Sequence, residues 1–367
     1  MDNKFRNLNL IDRYIVKQFV LTLLFGIIAL CTIFLVVNLL ENLDNFLDQN
    51  ATFMVIAKYY LYFFPEIIKL LTPVATLIAT LFTIGRLSTL NEITAMKSGG
   101  MSLYRLMAPL LFVTIMLSFL QLYFNGWIVP RANERKKQIE QKYLSKGNAA
   151  NSIYNLYLRD TPTRNIIMQY YDAELMQGNR VSIEDFSNEQ SPRIVQRIEA
   201  NTVTWSTESK SWVGADIIIR KYHGTRIETI KLDTGDIPIR LRHNDIEQLR
   251  REPKEMNFDD LWNYINILKM GGKDIRKQLI DYYGGWAFPF ANIIVVLFGV
   301  PFASVRRKGG IAIQIGAAMI IAFAYMIFTE VSKTMAFAFN LDPILSGWVA
   351  NLIFLVAGLI TIMKTKT

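Results

Sequence analysis

Long apolar runs and one long polar insert alternate along this chain in a three-plus-three pattern. The runs are Phe19–Leu40, Tyr62–Ile84, Leu103–Trp127, Trp286–Ser304, Ile311–Val331 and Ile344–Met363, and the apolar-poor stretch between the third and fourth extends from about Arg131 to Lys277. A hydrocarbon core about 30 Å thick is crossed by roughly 20 apolar helical residues, so each run has about the length of a membrane span. The pattern predicts an α-helical membrane protein of six transmembrane helices, 3+3, with a soluble domain inserted between the halves.

Within the insert the period changes. Short stretches rich in β-branched and aromatic residues recur at Ile153–Leu158, Ile166–Tyr171, Val203–Trp205, Ile217–Ile219 and Ile227–Ile230, separated by turn-formers such as Gln177-Gly178-Asn179 and Glu208-Ser209-Lys210. About eight short strands at such spacing predict an all-β, jelly-roll-like domain or an open sandwich. Phe258, Leu261, Trp262, Ile265 and Leu268 then recur at helical spacing up to Gly271-Gly272, and a second short helix with Ile275, Leu279 and Tyr282 leads into the fourth span. The expected division is residues 1–130 for an N-terminal arm and three spans, with a cytoplasmic helix over 88–99; 131–255 for the β domain; 256–284 for a helical hairpin; and 285–367 for the last three spans. The hairpin reads either as a surface element that steadies the domain or as one that moves it.

Charge orients this frame. Lys4, Arg6, Arg13 and Lys17 precede the first span, Arg86, Lys97 and Arg105 lie between the second and third, Arg306, Arg307 and Lys308 between the fourth and fifth, and Lys364 and Lys366 follow the sixth. The opposite short segments carry Glu41, Asp44 and Asp48 after the first span, and only Lys333 against Asp342 between the fifth and sixth. Basic loops stay inside, so both termini are expected in the cytoplasm and the β domain outside it. The net charge of +9 is then a topology signal and implies no nucleic-acid partner. With 51% hydrophobic and 19% charged residues, the composition fits membrane spans joined to a soluble domain. The polar opening, MDNKFRNLNLIDRYIVKQF, has no small-residue cleavage site, so the first span is expected to act as its own export signal.

Catalytic signatures are missing from this pattern. Cys31, the single cysteine, falls inside the first span, which leaves the outer domain without a disulfide or a cysteine metal site. His223 and His243 have no metal-ligand spacing, and no G-x-S-x-G precedes a helix. The nearest approach to a phosphate loop, Gly271-Gly272-Lys273-Asp274, lacks the earlier glycine and has Asp in place of the hydroxyl that would hold Mg²⁺. A non-catalytic subunit is expected, with no metal or cofactor of its own and energy supplied by another protein.

Three groups of residues remain as candidates. Between the second and third spans, Thr89 and Glu92 have capping-box spacing, Leu90, Ile93 and Met96 form a small apolar stripe, and Gly99-Gly100 follows. This short helix reads as a docking element or as an ordinary capped connection. Ionisable residues inside spans are costly and tend to be functional: Glu66 with Lys69, flanked by Pro65 and Pro73, and Glu330 with Lys333 both have i,i+3 spacing. They are candidates for lipid phosphates or charges across a cavity, or for local pairs reaching to the interface. In the β domain, Leu156, Leu158, Trp205, Ile217 and Ile219, with Trp212, are candidates for an apolar groove or for plain core.

The stretch Gly85-Arg86-Leu87-Ser88-Thr89-Leu90-Asn91-Glu92-Ile93-Thr94-Ala95-Met96-Lys97-Ser98-Gly99-Gly100-Met101-Ser102 resembles the "GRLS…NEL.A.RA.G.S" segment of the LptF/LptG permeases of the lipopolysaccharide export transporter. Ile11-Asp12-Arg13-Tyr14-Ile15 is similar to the "LDRYI" opening common in the LptG branch, and Pro109, Trp127–Asn133, Ala287–Ala291 and Gly299–Phe302 resemble family positions in the same order. The resemblance implies an inner-membrane permease paired with its LptF or LptG paralogue, an LptB-type ATPase dimer that binds the ATP and Mg²⁺, and a single-span LptC-type protein. It also implies that lipopolysaccharide passes from the outer leaflet into a periplasmic β-jellyroll, and that the segment around Glu92 is a coupling helix seated on the ATPase. LptG members carry lysines toward the outer end of the first span, where this chain has Asn38, Glu41, Asp44 and Asn45, so the paralogue stays open. A membrane-anchored sensor or scaffold, with a β domain that binds a ligand or partner, is the alternative from the residues alone; it would be expected to carry a cytoplasmic output domain.

Overall fold

A computed structural model of the chain describes residues 10–144, 152–173, 175–187, 193–224, 226–248, 251–270, 273–304 and 310–364. Arg306, Arg307, Lys308, Gly271-Gly272 and the basic residues nearest the two ends, Lys4, Arg6 and Lys366, lie outside these. The chain divides into two compact units, Met1–Leu144 with Arg276–Thr367, and Ser145–Ile275.

The first unit is helical. It comprises α1 (Leu10–Asp48), α2 (Phe53–Thr89), α3 (Glu92–Ser98), α4 (Leu103–Tyr123), a π-helical turn at Phe124–Ile128, and α5 (Val129–Tyr143). Beyond the β unit it resumes with α8 (Arg276–Ala287), a 3₁₀ turn at Phe288–Phe290, α9 (Ala291–Ser304), α10 (Gly310–Ala338) and α11 (Pro343–Lys364). Among the described residues, six helical stretches are long and apolar enough to cross a membrane. Two expected boundaries move. Residues 131–143 prolong the third span as α5 instead of opening the β domain, because its basic face packs on α2. The anticipated helical hairpin is divided between the two units, its second helix, α8, packing on α11.

Apolar side chains at helical spacing interlock at the centre: Phe19 and Leu23 of α1, Leu77, Leu81 and Ile84 of α2, Leu106 and Leu110 of α4, and Val296 and Val300 of α9. Lipid is as apolar as these residues, so association depends on close packing and buried polar contacts more than on burial itself. Gly347 of α11 shows how close: a Cβ there would meet the Gly284 backbone nitrogen at 2.7 Å. Thr72, Thr76 and Thr80 of α2 turn their hydroxyls back to carbonyls one turn earlier, which satisfies them without water.

The second unit is one antiparallel sheet with its strands in chain order: β1 (Ser152–Thr161), β2 (Arg164–Asp172), β3 (Gln177–Phe186), β4 (Ile194–Ser206), β5 (Ser211–His223) and β6 (Arg226–Ile237). Among the described residues, six long strands thus replace about eight short ones. Gln177-Gly178-Asn179 opens β3 instead of forming a turn; the reversal lies just before it, where Met176 takes φ 51°. After the sheet come α6 (His243–Gln248), a 3₁₀ turn at Pro253–Glu255 and α7 (Phe258–Met270), which packs on α6 and β1.

A polar seam crosses all six strands. Asn155, Gln169, Arg180, Asn201, Asp216 and Asp233 lie opposite one another, all exposed, and the ladder skips each of these pairs while the register continues unchanged on either side. On alternate strands the seam residue is left-handed: Asn155 at φ 52°, Arg180 at 48° and Asp216 at 54°. Burial then steps by three residues instead of two, from Met168 to Tyr171, Val181 to Gly178, Ala200 to Val203 and Ile217 to Gly214. An αL residue turns β3 and β5 over and their neighbours β2 and β4 follow in register, so both ends of these four strands present apolar side chains to a single interior. That interior holds Ile166, Met168, Tyr171, Ile183, Val203 and Trp212, each worth about 1.5–3 kcal/mol for a large apolar side chain.

The segment after β6 closes the roll onto the β1–β2 hairpin. Arg164 Nη1 donates to the Pro238 carbonyl at 2.5 Å, and Asp160 Oδ1 accepts from the backbone N–H groups of Arg240 and Leu241 at 2.9 and 3.0 Å. Arg164 is anchored in turn by Asp185, whose hydrogen bond raises the guanidinium pKa above its ordinary value.

Candidate functional site

The loop between the second and third spans forms a rigid bracket. Asn91 takes the left-handed conformation, φ 58°, and breaks the chain between α2 and α3. The expected capping box does not form, because Thr89 stays in the last turn of α2 and returns its hydroxyl to the Gly85 carbonyl at 2.8 Å. At the other end, Gly100 at φ 82° lets Met101 N–H reach the Met96 carbonyl (3.0 Å) and its own N–H reach that of Lys97 (2.9 Å), a Schellman closure. Ser102 then caps α4 by accepting from Arg105 N–H at 3.3 Å.

This bracket separates the four candidate residues. Ile93, 4% exposed, belongs to the helical core, and Met96 packs against that core half-buried. Leu90 is 55% exposed and Glu92 is half-exposed. A partner approaching the turn between α2 and α3 therefore meets Leu90 and Glu92, while Ile93 fastens α3 to its own chain.

Sequence spacing missed the ion pair that adjoins this helix. Arg105 Nη2 lies 2.6 Å from Asp12 Oδ2, joining the first turn of α4 to the first turn of α1. Opposite charges at the same ends of the first and third spans were the available signal.

Among the charges inside spans, Glu66 reaches across helices: Lys136 Nζ of α5 lies 2.6 Å from its Oε2 and 4.6 Å from the Phe63 ring centroid. The contact with Lys136 could be seen only once the third span continued as a helix. The Lys69 carbonyl accepts from Gln121 Nε2 at 3.1 Å, Gln121 Oε1 accepts from Asn292 Nδ2 at 2.5 Å, and Asn292 is fully buried, so α2, α4 and α9 share one polar link. Lys333 pairs within its own helix, 2.9 Å from Glu330, and both line a cavity of about 250 Å³ with Lys277, Asp281 and Phe337. Gly284 leaves room for this lysine, since a Cβ there would lie 3.1 Å from Lys333 Cε.

In the β roll, Leu156, Leu158, Ile217 and Trp212 are buried in the interior, and Trp205 and Ile219 sit half-buried at its margin. The apolar surface continues outward onto β6. Ile230 lies opposite Ile219 and Leu232 opposite Ile217, and Leu232 is 44% exposed although it shares the core face. The sequence marks the strand at Ile227–Ile230, but its many polar neighbours kept Ile230 and Leu232 out of the groove candidates. Among the described residues no group of three or more His, Cys, Asp or Glu is placed to hold a metal.

Comparison with known proteins adds to this geometry. The family model described as "Lipopolysaccharide export system permease LptF/LptG" matches residues 13–364. The chain is similar to the lipopolysaccharide export system permease protein LptG of Escherichia coli strain K12, at 18% identity over 96% of this chain and 98% of that protein. LptG of Haemophilus influenzae is 17% identical over 95% and 97%, and LptF of Escherichia coli K12 is 20% identical over 96% and 94%.

Proposed function

The chain belongs to the LptF/LptG family of lipopolysaccharide export permeases, and on that premise we propose that it is the non-catalytic membrane half of an ABC transporter driven by a separate LptB-type ATPase dimer. Its companions are a paralogous permease and a single-span LptC-type protein. The complex lies in the inner membrane with both termini of this chain cytoplasmic and the β roll periplasmic. ATP and Mg²⁺ belong to the ATPase, and this chain binds no cofactor.

Physical necessity supports the division of labour. Each buried methylene of a multi-acyl lipid is worth about 0.8 kcal/mol, so extraction requires both ATP and an apolar destination. Lipopolysaccharide from the outer leaflet enters between the paired permeases, and ATP-driven closure passes it to the β roll, whose apolar interior continues onto Ile219, Ile230 and Leu232. Glu66, Lys69, Glu330 and Lys333 are the candidate charges along its route.

The observation that carries this reading is α3, bolted to the helical core by Ile93 while Leu90 and Glu92 face outward. A rigid bracket of this kind transmits a push from an ATPase to α2 and α4. The test is co-purification of the ATPase with the whole permease pair, combined with hydrolysis assays. Glu92→Arg is expected to abolish association or uncouple hydrolysis from lipid export, and full retention of both would overturn the docking role.

A further inference from the structure

At the end of the β roll marked by the turn between β4 and β5, a cavity of about 350 Å³ is lined by Trp205, Thr207, Lys210, Arg242, His243 and Asn244. Its wall is held from behind. Trp212 Nε1 donates to the Leu241 carbonyl at 2.7 Å, Asp160 grips the backbone of Arg240 and Leu241, and the Tyr171 hydroxyl lies 2.5 Å from His243 Nδ1. His243 is 8% exposed, and Trp205 stands edge-on to Trp212 at a centroid distance of 5.2 Å. The cavity is therefore preformed, with an indole on one side and an imidazole in its lining.

Its charge is one-sided. Lys210 and Arg242 supply two cations, and among the described residues no carboxylate lines the cavity; Asp245 accepts from Arg242 N–H at 2.8 Å, and Glu208 of the same turn stands outside the lining. Among the described residues neither the Lys210 ammonium nor the Arg242 guanidinium has a hydrogen-bond or ion-pair partner. A guanidinium fork and an ammonium converging on one concavity suit a compact dianion with several acceptor oxygens, which is a phosphate monoester. The neighbouring indole offers a flat apolar face, which suits a ring carrying that phosphate.

We propose that this pocket binds a phosphate monoester borne on a saccharide ring. The proposal rests on the lipopolysaccharide-permease reading only in taking the phosphorylated sugar headgroup of the exported lipid as the natural source of that group. Lys210 and Arg242 take the phosphate oxygens, and Trp205 takes the sugar face. None of the three was singled out by sequence as an anion ligand, because the β4–β5 turn and the segment after β6 meet only when the sheet rolls.

The test uses the full-length protein in non-ionic, phosphate-free detergent, with ³¹P line broadening as the readout and glucosamine 1-phosphate as the probe. Glucosamine and inorganic phosphate are the controls. Binding of glucosamine 1-phosphate is expected, weakened at least about tenfold in Lys210→Glu/Arg242→Glu and retained in Lys210→Arg. Unphosphorylated glucosamine is expected to give no competition, and inorganic phosphate to compete more weakly than the sugar phosphate. Absence of binding, equal affinity in the charge-reversed protein, or inorganic phosphate binding as tightly as the sugar phosphate would overturn the proposal. Both substituted side chains are exposed, so the variants are expected to fold. The ATPase-coupling experiment on Glu92 is read independently, so failure of one does not entail failure of the other.

Discussion

Asp12, in the first turn of α1, and Arg105, in the first turn of α4, close an ion pair of 2.6 Å between residues 93 positions apart. The pair bridges helix starts next to α3, so it fixes the bracket's exit relative to the first span. Asp12→Arg is expected to lower lipid-coupled ATP hydrolysis several-fold, and Asp12→Arg/Arg105→Asp to restore much of it. Because Asp12 is 7% exposed, Asp12→Arg faces Arg105 with a like charge and is also expected to lower protein abundance, which the charge swap restores. Failure of the swap to rescue coupling would separate the pair from the bracket's function.

Two residues of the loop between the second and third spans, Leu90 at the end of α2 and Ile93 on α3, are expected to behave oppositely. Ile93 is 4% exposed within the core, and Ile93→Ala is expected to destabilise the helical unit by about 2–5 kcal/mol, measured as earlier thermal unfolding in detergent. Leu90 is 55% exposed, so Leu90→Ala is expected to leave stability within about 0.5 kcal/mol while weakening co-purification of the ATPase. Unaltered association in Leu90→Ala would remove that residue from the docking face.

The polar seam makes a backbone prediction. Asp216 sits at φ 54°, where a β-branched residue is strained, so Asp216→Val is expected to destabilise the β unit by about 1–2 kcal/mol. Asp216→Gly is expected to be neutral or slightly stabilising, because glycine enters the left-handed region freely. Denaturant unfolding followed by near-ultraviolet tryptophan signals distinguishes the two, and equal effects would show that contacts, not conformation, dominate the seam.

Exposure also ranks positions along the proposed lipid path. A photo-crosslinker at Leu232, 44% exposed, is expected to capture lipopolysaccharide when ATP and the ATPase are present, and one at Ile217, 2% exposed, to capture less. Labelling at Leu232 that is equally strong without ATP would argue against driven passage over β6.

Local periodicity made much of this architecture legible. The spans, the short helix over Glu92, and the cores of five strands depend on what a residue and its near neighbours prefer in lipid or in a pleated sheet. Boundaries were less visible: α5 has no apolar run, and the helix persists there because its basic face packs on α2, where Lys136 meets Glu66. The seam was invisible for a related reason, since Asn155, Arg180 and Asp216 look like ordinary polar strand residues until the strands align side by side.

The sequence by itself determined that this chain crosses a membrane with a β insert between two sets of three spans, because lipid solvation and strand propensity are properties of short segments. Only the tertiary structure decided which charges pair, which face of α3 is outward, and that Lys210 and Arg242 share a pocket with Trp205. Those relationships join residues far apart in the chain, and a distance between such residues exists only after helices pack and the sheet has rolled.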